Sequence, residues 1–226
     1  MSDKKRILVI NPNASTRVTQ VIDRELNAIR KQTSFTIDVC DHPSAPPGIA
    51  RQQDADMVAP LVQQTIRRER ASAYVVACFS DPGLTGAREE SKGSLVLGCG
   101  ESAILHALTI GDQFGIISLS DLSTLRQRRM VRMMGLTSRY AGSAAISATA
   151  EEATSPLLIE KMVEAGRALA SGGANVILMG CAGMAHFRSS LEDRLGMPVI
   201  DPTSSAVAMA LGLCTLRESR LNESDP

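Results

Sequence analysis

Two cysteines lie 103 residues apart in this chain, and the residues that follow each of them match at the same spacing. Each cysteine is followed 15 residues later by glycine, then by a short apolar run and then by a helix-like segment. The pairs at this offset are Cys78/Cys181, Gly93/Gly196, Val96/Val199, Ser102/Ser205, Ala103/Ala206 and Leu108/Leu211. Residues 7–11 also match residues 114–118 if about four residues are inserted. The pattern indicates duplication of one αβ unit.

Apolar segments of strand length alternate with amphipathic segments along the whole chain. The predicted strands lie at residues 6–10, 35–39, 74–77, 95–97, 114–117, 144–147, 176–179 and 198–200. Strands that alternate with helices favour parallel sheets with right-handed crossovers. We therefore predict an α/β fold with two pseudo-symmetric halves, each a parallel sheet flanked by helices.

The repeat also predicts how the chain divides. We expect residues 1-100 plus 203-226 to form the first α/β domain and residues 101-202 to form the second. Because ligands of α/β sheets bind at the carboxyl ends of the strands, we expect the site in a cleft where the strand ends of both halves meet.

Composition excludes several kinds of partner. Formal net charge is +0 and aromatic residues make up 3%, so nothing favours binding of nucleic acid. No apolar run approaches the ~20 residues of a membrane span, and the N-terminus lacks the apolar region of a secretory signal. Five cysteines without a metal-binding spacing indicate reduced thiols in the cytoplasm. We expect a small-molecule substrate, no membrane partner and a homo-oligomer built through the apolar-rich helices.

The repeat changes the interpretation of Cys181. A lone cysteine after the apolar run of residues 176–179 is typical of an inert core residue. Coincidental core cysteines have no reason to follow equivalent strands of a repeat, so we predict that Cys78 and Cys181 are functional and approach the cleft from opposite sides. The remaining thiols lack this relation and are interpreted as packing residues: Cys40, Cys99 and Cys214.

A facing pair of thiols can invert a stereocentre without a cofactor. One thiolate takes a proton from carbon, and the opposite thiol returns one on the other face. Backbone N–H groups at the helix starts after the two cysteines favour thiolate, and those of residues 79, 80, 182 and 183 can stabilise an enolate oxygen. The chain has no phosphate-binding glycine motif, so we expect no cofactor.

Other polar side chains are given structural interpretations. The helix after residue 120 carries Leu122, Leu125, Met130 and Met133 as its apolar positions. Its basic residues are interpreted as a solvated outer face: Arg126, Arg128, Arg129 and Arg132. His42 lies in the proline-rich loop of residues 41–50, which we expect near the cleft. His106 and His186 are expected on helices, and no pair of histidines has zinc-ligand spacing, so no metal is expected.

Four segments resemble the aspartate/glutamate/hydantoin racemase superfamily, most closely its hydantoin and allantoin racemase branch. They are ILVINPNAS at residues 7–15, ACFSDPGLTGARE at 77–89, MGCAGMA at 179–185 and MPVIDP at 197–202. The resemblance implies a two-domain pseudo-symmetric α/β fold and cofactor-independent racemisation at C5 of a hydantoin ring. It implies Cys78 and Cys181 as the catalytic acid/base pair and these substrate-binding residues: Asn11, Phe79, Ser80, Ser118, Ala182 and Gly183.

The chain departs from the family pattern in places that bear on the substrate. One hydroxyl, that of Ser118, stands where the family commonly has two threonines, and residues 98–101 read Gly-Cys-Gly-Glu in place of a more apolar turn. Amino-acid racemases of the superfamily follow the first cysteine with Asn-Thr, whereas Phe79-Ser80 follows here, which favours a less charged substrate. The alternatives are an Asp or Glu racemase, a cis–trans isomerase of a maleate-like diacid acting through a thiol adduct, and a non-catalytic binding protein.

Overall fold

A computed structural model describes residues 5–223 of the chain. Eight strands within that range form two four-stranded sheets. The strands are β1 (Arg6–Ile10), β2 (Thr36–Cys40), β3 (Ala73–Val76), β4 (Leu95–Gly98), β5 (Phe114–Ser118), β6 (Tyr140–Ala145), β7 (Val176–Met179) and β8 (Val199–Ile200).

Helices connect the strands and cover the sheets. They are α1 (Thr16–Glu25), α2 (Asn27–Arg30), α3 (Gln52–Arg68), α4 (Leu84–Glu90), α5 (Cys99–Ile110), α6 (Asp121–Met133), α7 (Ile159–Ser171), α8 (Arg188–Leu195) and α9 (Pro202–Glu223). Short 3₁₀ helices span Thr137–Arg139, Glu152–Thr154, Pro156–Leu158 and Ala182–Phe187. Between residues 5 and 223, no helix is long and apolar enough to cross a membrane.

The two sheets have the same topology. Strand order is β2-β1-β3-β4 in the first and β6-β5-β7-β8 in the second, and every strand pair is parallel. Strands β3, β5 and β7 are buried along their whole length, as near-continuous apolar runs in parallel sheets are. The predicted α/β fold with two similar halves is confirmed.

Strand β6 differs most from its prediction. It begins at Tyr140, four residues before the predicted segment 144–147. The segment YAGSAA has no β-branched residue and no clear alternation, so the sequence pattern is weak there. Contact across the sheet fixes the strand instead, because the Tyr140 ring packs on Phe114 with ring centroids 5.6 Å apart.

Helix α5 lies between the two sheets. Its residues Ile104 and Ala107 share one buried cluster with Phe114, Ile116 and Leu178 of the second sheet. Helix α9 then returns the chain to the first half, where it contacts α5 and strands β1, β3 and β4. This packing supports the division into residues 1-100 plus 203-226 and residues 101-202, which we keep as a proposal.

The cluster under α5 gives a stability prediction. Leu178 is 0% exposed and Leu157 is 85% exposed. The same Leu→Ala substitution at both positions therefore measures the effect of burial on stability. Leu178→Ala should lower the free energy of unfolding by about 3 kcal/mol and the Tm by about 6–12 °C, because it leaves a cavity in the core. Leu157→Ala should cost less than about 0.5 kcal/mol. Thermal denaturation of both variants checks this, and equal losses would contradict it.

Candidate active site

Each candidate thiol lies in the turn that follows a central strand. Cys78 follows β3 and Cys181 follows β7. The N–H of Asp81 donates to the carbonyl oxygen of Cys78 at 2.8 Å, and the N–H of Met184 donates to that of Cys181 at 3.1 Å. The repeat seen in the sequence therefore extends to the backbone hydrogen bond that closes each turn.

Both thiols line one cavity of about 40 Å³ between the halves. Phe79, Ser80 and Ala182, which the sequence also predicts at the site, line it with them. The other lining residues are Asn13, Val18, Ile49, Ala77, Leu119, Ser123, Arg126, Gln127, Ala150 and Gly180. The strand ends of the two halves thus meet at a shared space, as the duplication predicts.

The other three predicted binding residues, Asn11, Ser118 and Gly183, do not line this cavity. Asn11 is fully buried, and its amide donates to Oδ1 of Asn13 at 3.1 Å, so it supports a lining residue from behind. The Ser118 hydroxyl donates to the carbonyl oxygen of Ser120 at 3.3 Å. Direct contact of these residues with a substrate stays a prediction.

Burial keeps both thiols protonated. It raises the pKa of Cys78 to about 12 and the pKa of Cys181 to about 11. A backbone N–H opposes this in each half, because that of Ser80 donates to the Cys78 sulfur and that of Gly183 to the Cys181 sulfur, which lowers each pKa. The donor is two residues after the cysteine in both turns, so each turn is built to stabilise a thiolate.

Arg126 belongs to the site, and its interpretation as part of a solvated helix face is wrong. Its guanidinium donates to Oγ of Ser80 at 3.3 Å and to the carbonyl oxygens of Ala50 at 2.8 Å and Ile49 at 3.2 Å. Its positive charge lowers the pKa of Cys78, while burial lowers the pKa of Arg126 itself. One cation therefore contacts the first thiol's turn and the proline-rich loop together.

The orientation of α6 explains why the sequence did not indicate Arg126. Of the four apolar positions predicted for this helix, Leu122, Leu125 and Met133 are 49%, 56% and 81% exposed, whereas Met130 packs against the buried cluster around Phe114. The buried residues are Gln127 and Val131. Where α6 covers the cavity its inward side is polar, with Ser123, Arg126 and Gln127, and there the apolar periodicity assigns the wrong side.

Two loops close the cavity from opposite halves. Gly48 lies directly against Ala150, since a Cβ at Gly48 would be 2.7 Å from the Ala150 Cβ. Ile49 and Ala150 both line the cavity. We call residues 48–50 and Ala150 the lid. The bonds from Arg126 to carbonyl oxygens of residues 49 and 50 hold the lid in place.

The three histidines lie outside the cavity lining. Nε2 of His42 is 3.2 Å from Oγ1 of Thr65, on α3. Nδ1 of His106 is 2.8 Å from Oγ of Ser205. The buried Nδ1 of His186 has no partner among the described residues, and burial lowers the pKa of its ring. Within residues 5–223, no three His, Cys, Asp or Glu side chains form a group that could hold a metal ion.

Known proteins resemble this chain along nearly its whole length. The family model described as Asp/Glu/Hydantoin racemase matches residues 7–210. A hydantoin racemase of Paenarthrobacter aurescens is 34% identical over 93% of this chain and 92% of its own length. A hydantoin racemase of Rhizobium meliloti is 31% identical over 92% of this chain and 88% of its own.

Solved structures give the same picture. The allantoin racemase from Klebsiella pneumoniae superposes with a TM-score of 0.84 at 30% identity, covering 93% of this chain and 88% of that one. An allantoin racemase from Pseudomonas fluorescens superposes with a TM-score of 0.82 at 23% identity, covering 93% and 91%, and supports the fold.

The contact between Arg126 and the first turn predicts a change in thiol reactivity. Arg126→Met and Arg126→Lys both lose the fork to the lid, but only the lysine keeps a positive charge near Cys78. Alkylation of Cys78 by iodoacetamide should therefore be several-fold slower in Arg126→Met than in Arg126→Lys, because the thiolate loses a cation. Peptide mapping by mass spectrometry measures each site, with Cys181 as the internal reference and Arg128→Met, on the exposed side of α6, as the control. Equal Cys78 rates in the two Arg126 variants would contradict the electrostatic role.

Proposed function

The chain belongs to the Asp/Glu/hydantoin racemase family and is a racemase, and on this premise we propose that it inverts C5 of a 5-substituted hydantoin or of allantoin without a cofactor. Cys78 and Cys181 serve as the acid and base. One observation carries the proposal: the two thiols reach the same cavity from equivalent turns of the two halves.

The proposed reaction transfers one proton at each thiol. A thiolate takes the C5 proton, and the electron pair of the C–H bond moves into an enolate whose charge rests on the C4 oxygen. The opposite thiol then gives its proton to the other face of C5. The thiolate is left on the second cysteine, so proton exchange with solvent restores the first state. Reversal of these roles racemises the other enantiomer.

Backbone N–H groups divide between the thiols and the substrate. Those of Ser80 and Gly183 donate to the sulfurs. The N–H groups of Phe79 and Ala182, one residue after each cysteine, are the other two of the four predicted to stabilise an enolate. We assign this role to them, since donors aimed at a developing oxyanion contribute most in a dry site.

The cavity lining favours a neutral ring as substrate. It combines apolar side chains with amides and hydroxyls, of which Asn13, Gln127 and Ser123 can hydrogen-bond the N–H and C=O groups of a cyclic imide. Among residues 5–223, no carboxylate side chain lines it, and Arg126 already donates to four oxygens of the protein, those of Ser80, Ser123, Ile49 and Ala50. A free amino acid or a diacid would need donors that are not already bonded.

Arg126 is also the observation that favours a second candidate function. A cis–trans isomerase of a maleate-like diacid adds a thiolate to the double bond, and a nearby guanidinium is a natural partner for a carboxylate. That reaction requires Arg126 to leave the carbonyl oxygens of Ile49 and Ala50. A covalent adduct on Cys78 or Cys181, trapped and detected by mass spectrometry, would support this function over racemisation.

The lid covers the cavity that holds both thiols. Gly48 and Ala150 are in direct contact there, and Arg126 holds the carbonyl groups of residues 49 and 50. We propose that residues 48–50 separate from Ala150 to admit the ring and close again over it. Closure excludes water and so protects the enolate and strengthens the hydrogen bonds to it.

We also keep a cytoplasmic homo-oligomer as a proposal. Leu105 on α5 and Leu213 on α9 are 46% and 42% exposed, and both line a second cavity of about 510 Å³ beside the edge strand β4. Exposed apolar side chains grouped on two adjacent helices are typical of a protein interface.

Replacement of either thiol should abolish racemisation but leave proton exchange on one enantiomer. Cys78→Ser and Cys181→Ser should each lower racemisation by at least about 10²-fold, because each removes one of two proton-transfer groups. Each single variant should still exchange the C5 hydrogen of one enantiomer with deuterated solvent. Polarimetry and NMR on 5-substituted hydantoins and allantoin, beside Asp, Glu and maleate, measure both. Cys40→Ser, outside the cavity, is the matched control, and full activity in the Cys78→Ser, Cys181→Ser double variant would overturn the mechanism.

The raised pKa values of the thiols predict activity that increases with pH. The active form carries one thiolate and one thiol, and it is rare while the pH lies below both thiol pKa values. Its fraction, and so kcat/KM, should increase about tenfold per pH unit between about pH 7 and 9. Initial rates from polarimetry, corrected for racemisation without enzyme, give the profile. A plateau or a decrease across this range would contradict a pair of neutral resting thiols.

A further inference from the structure

Helix α5 begins at the end of β4, beside the turn that holds Cys78. The first backbone N–H groups of the helix have a partner far along the chain, the carboxylate of Asp81. Its Oδ1 accepts from the N–H of Gly100 at 2.9 Å, and its Oδ2 accepts from the N–H of Glu101 at 2.8 Å. The residue at the helix start, Gly98, has no side chain to provide such a cap.

The second half caps its equivalent helix in a different way. At the offset of 103 residues, Gly98 corresponds to Asp201, at the start of α9. Asp201 accepts from the N–H groups of Thr203 at 3.4 Å and Ser204 at 2.9 Å. The positions of these donors are equivalent to those of Gly100 and Glu101, so both halves place a carboxylate at the same point. In the first half that carboxylate comes from the cysteine turn.

Two glycines leave space for the cysteine turn at the start of α5. A Cβ at Gly98 would lie 2.2 Å from the carboxyl carbon of Asp81, and a Cβ at Gly100 would lie 2.1 Å from the carbonyl oxygen of Phe79. Side chains at these positions would therefore push the turn away from α5. The Gly-Cys-Gly segment that departs from the family pattern thus has a physical reason: it admits the turn that follows Cys78.

We propose that Asp81 is a positioning residue for Cys78, because its carboxylate ties the cysteine turn to the start of α5. The backbone of Asp81 closes the turn through its N–H to Cys78, and its φ of 45° is held against the preference of an L residue. The tie fixes the peptide between the two residues, and with it the N–H of Ser80 that donates to the sulfur.

Charge alone would give the opposite effect. Burial raises the pKa of Asp81 to about 8, and its ionised form raises the pKa of Cys78, so removal of this group would favour the thiolate above that pH if geometry did not matter. A loss of activity on removal therefore indicates positioning. This argument rests on the proposed function for its kinetic measurement, but the order of the turn can be measured without any substrate.

The test distinguishes two roles of Asp81, capping of helix α5 and linkage of the cysteine turn to that helix, by moving the carboxylate to another residue. Asp81→Gly removes both, and glycine accepts the positive φ at this position. Asp81→Gly with Gly98→Asp places a carboxylate at the helix start, as in the second half, without a connection to the turn. We expect Asp81→Gly to lower the Tm by about 4 °C and kcat by about 10²-fold. The double variant should recover the Tm but not kcat.

Recovery of kcat together with the Tm would overturn the proposal, because Asp81 would then act only as a helix cap. A kcat of Asp81→Gly within about threefold of the kcat of the unchanged enzyme would also overturn the proposal. A second measurement tests the proposal even if the double variant does not fold or if the enzyme turns over no hydantoin. Amide exchange by NMR should show at least about tenfold lower protection of the Ser80 N–H in Asp81→Gly, with that of Gly183 unchanged. Equal protection of Ser80 in both proteins would overturn the proposal, whereas inactivity of the unchanged enzyme would count against the proposed function alone.

Discussion

The site depends on two backbone N–H groups, those of Ser80 and Gly183, that donate to the sulfurs of two half-buried cysteines. Burial makes each thiolate unfavourable, and the peptide dipoles offset part of that effect at a fixed place. Such donors exist only because β3 and β7 end in turns of the same shape, at the same edge of two parallel sheets. Duplication therefore provides two acid–base groups that face one space, which a single αβ unit cannot do.

The two halves are alike in fold but not in how they hold their cysteines. The first turn is tied to α5 through Asp81 and contacted by Arg126, whereas the carboxylate of Asp201 caps its own helix. Equivalent backbones with different side-chain supports allow the two thiols to differ in proton affinity. Because the equilibrium constant between two enantiomers is 1, kcat/KM is equal in both directions, so differences between the halves can make kcat and KM differ between the enantiomers but not the ratio kcat/KM.

Much of this arrangement could be predicted from the sequence because it follows from backbone periodicity. Seven strands lie within one or two residues of their predicted positions, and the cysteine repeat predicts a shared site. Periodicity fails where a polar space replaces a core: α6 turns Arg126 and Gln127 inward. The cap from Asp81 to Gly100 joins residues 19 apart in sequence, and no local pattern encodes it. The contacts between the cavity lining and the two loops of the lid also join residues far apart in sequence, so no local pattern predicts them.

The central claim is that two different groups carry the proton on and off C5. The direct measurement starts from one pure enantiomer of a 5-substituted hydantoin in deuterated water, with the unaltered enzyme and an enzyme-free blank. Early in the reaction, the inverted product should carry deuterium at C5 while the recovered starting enantiomer keeps its hydrogen. Equal deuterium in product and recovered reactant would show that one group serves both faces, and would contradict the two-thiol account.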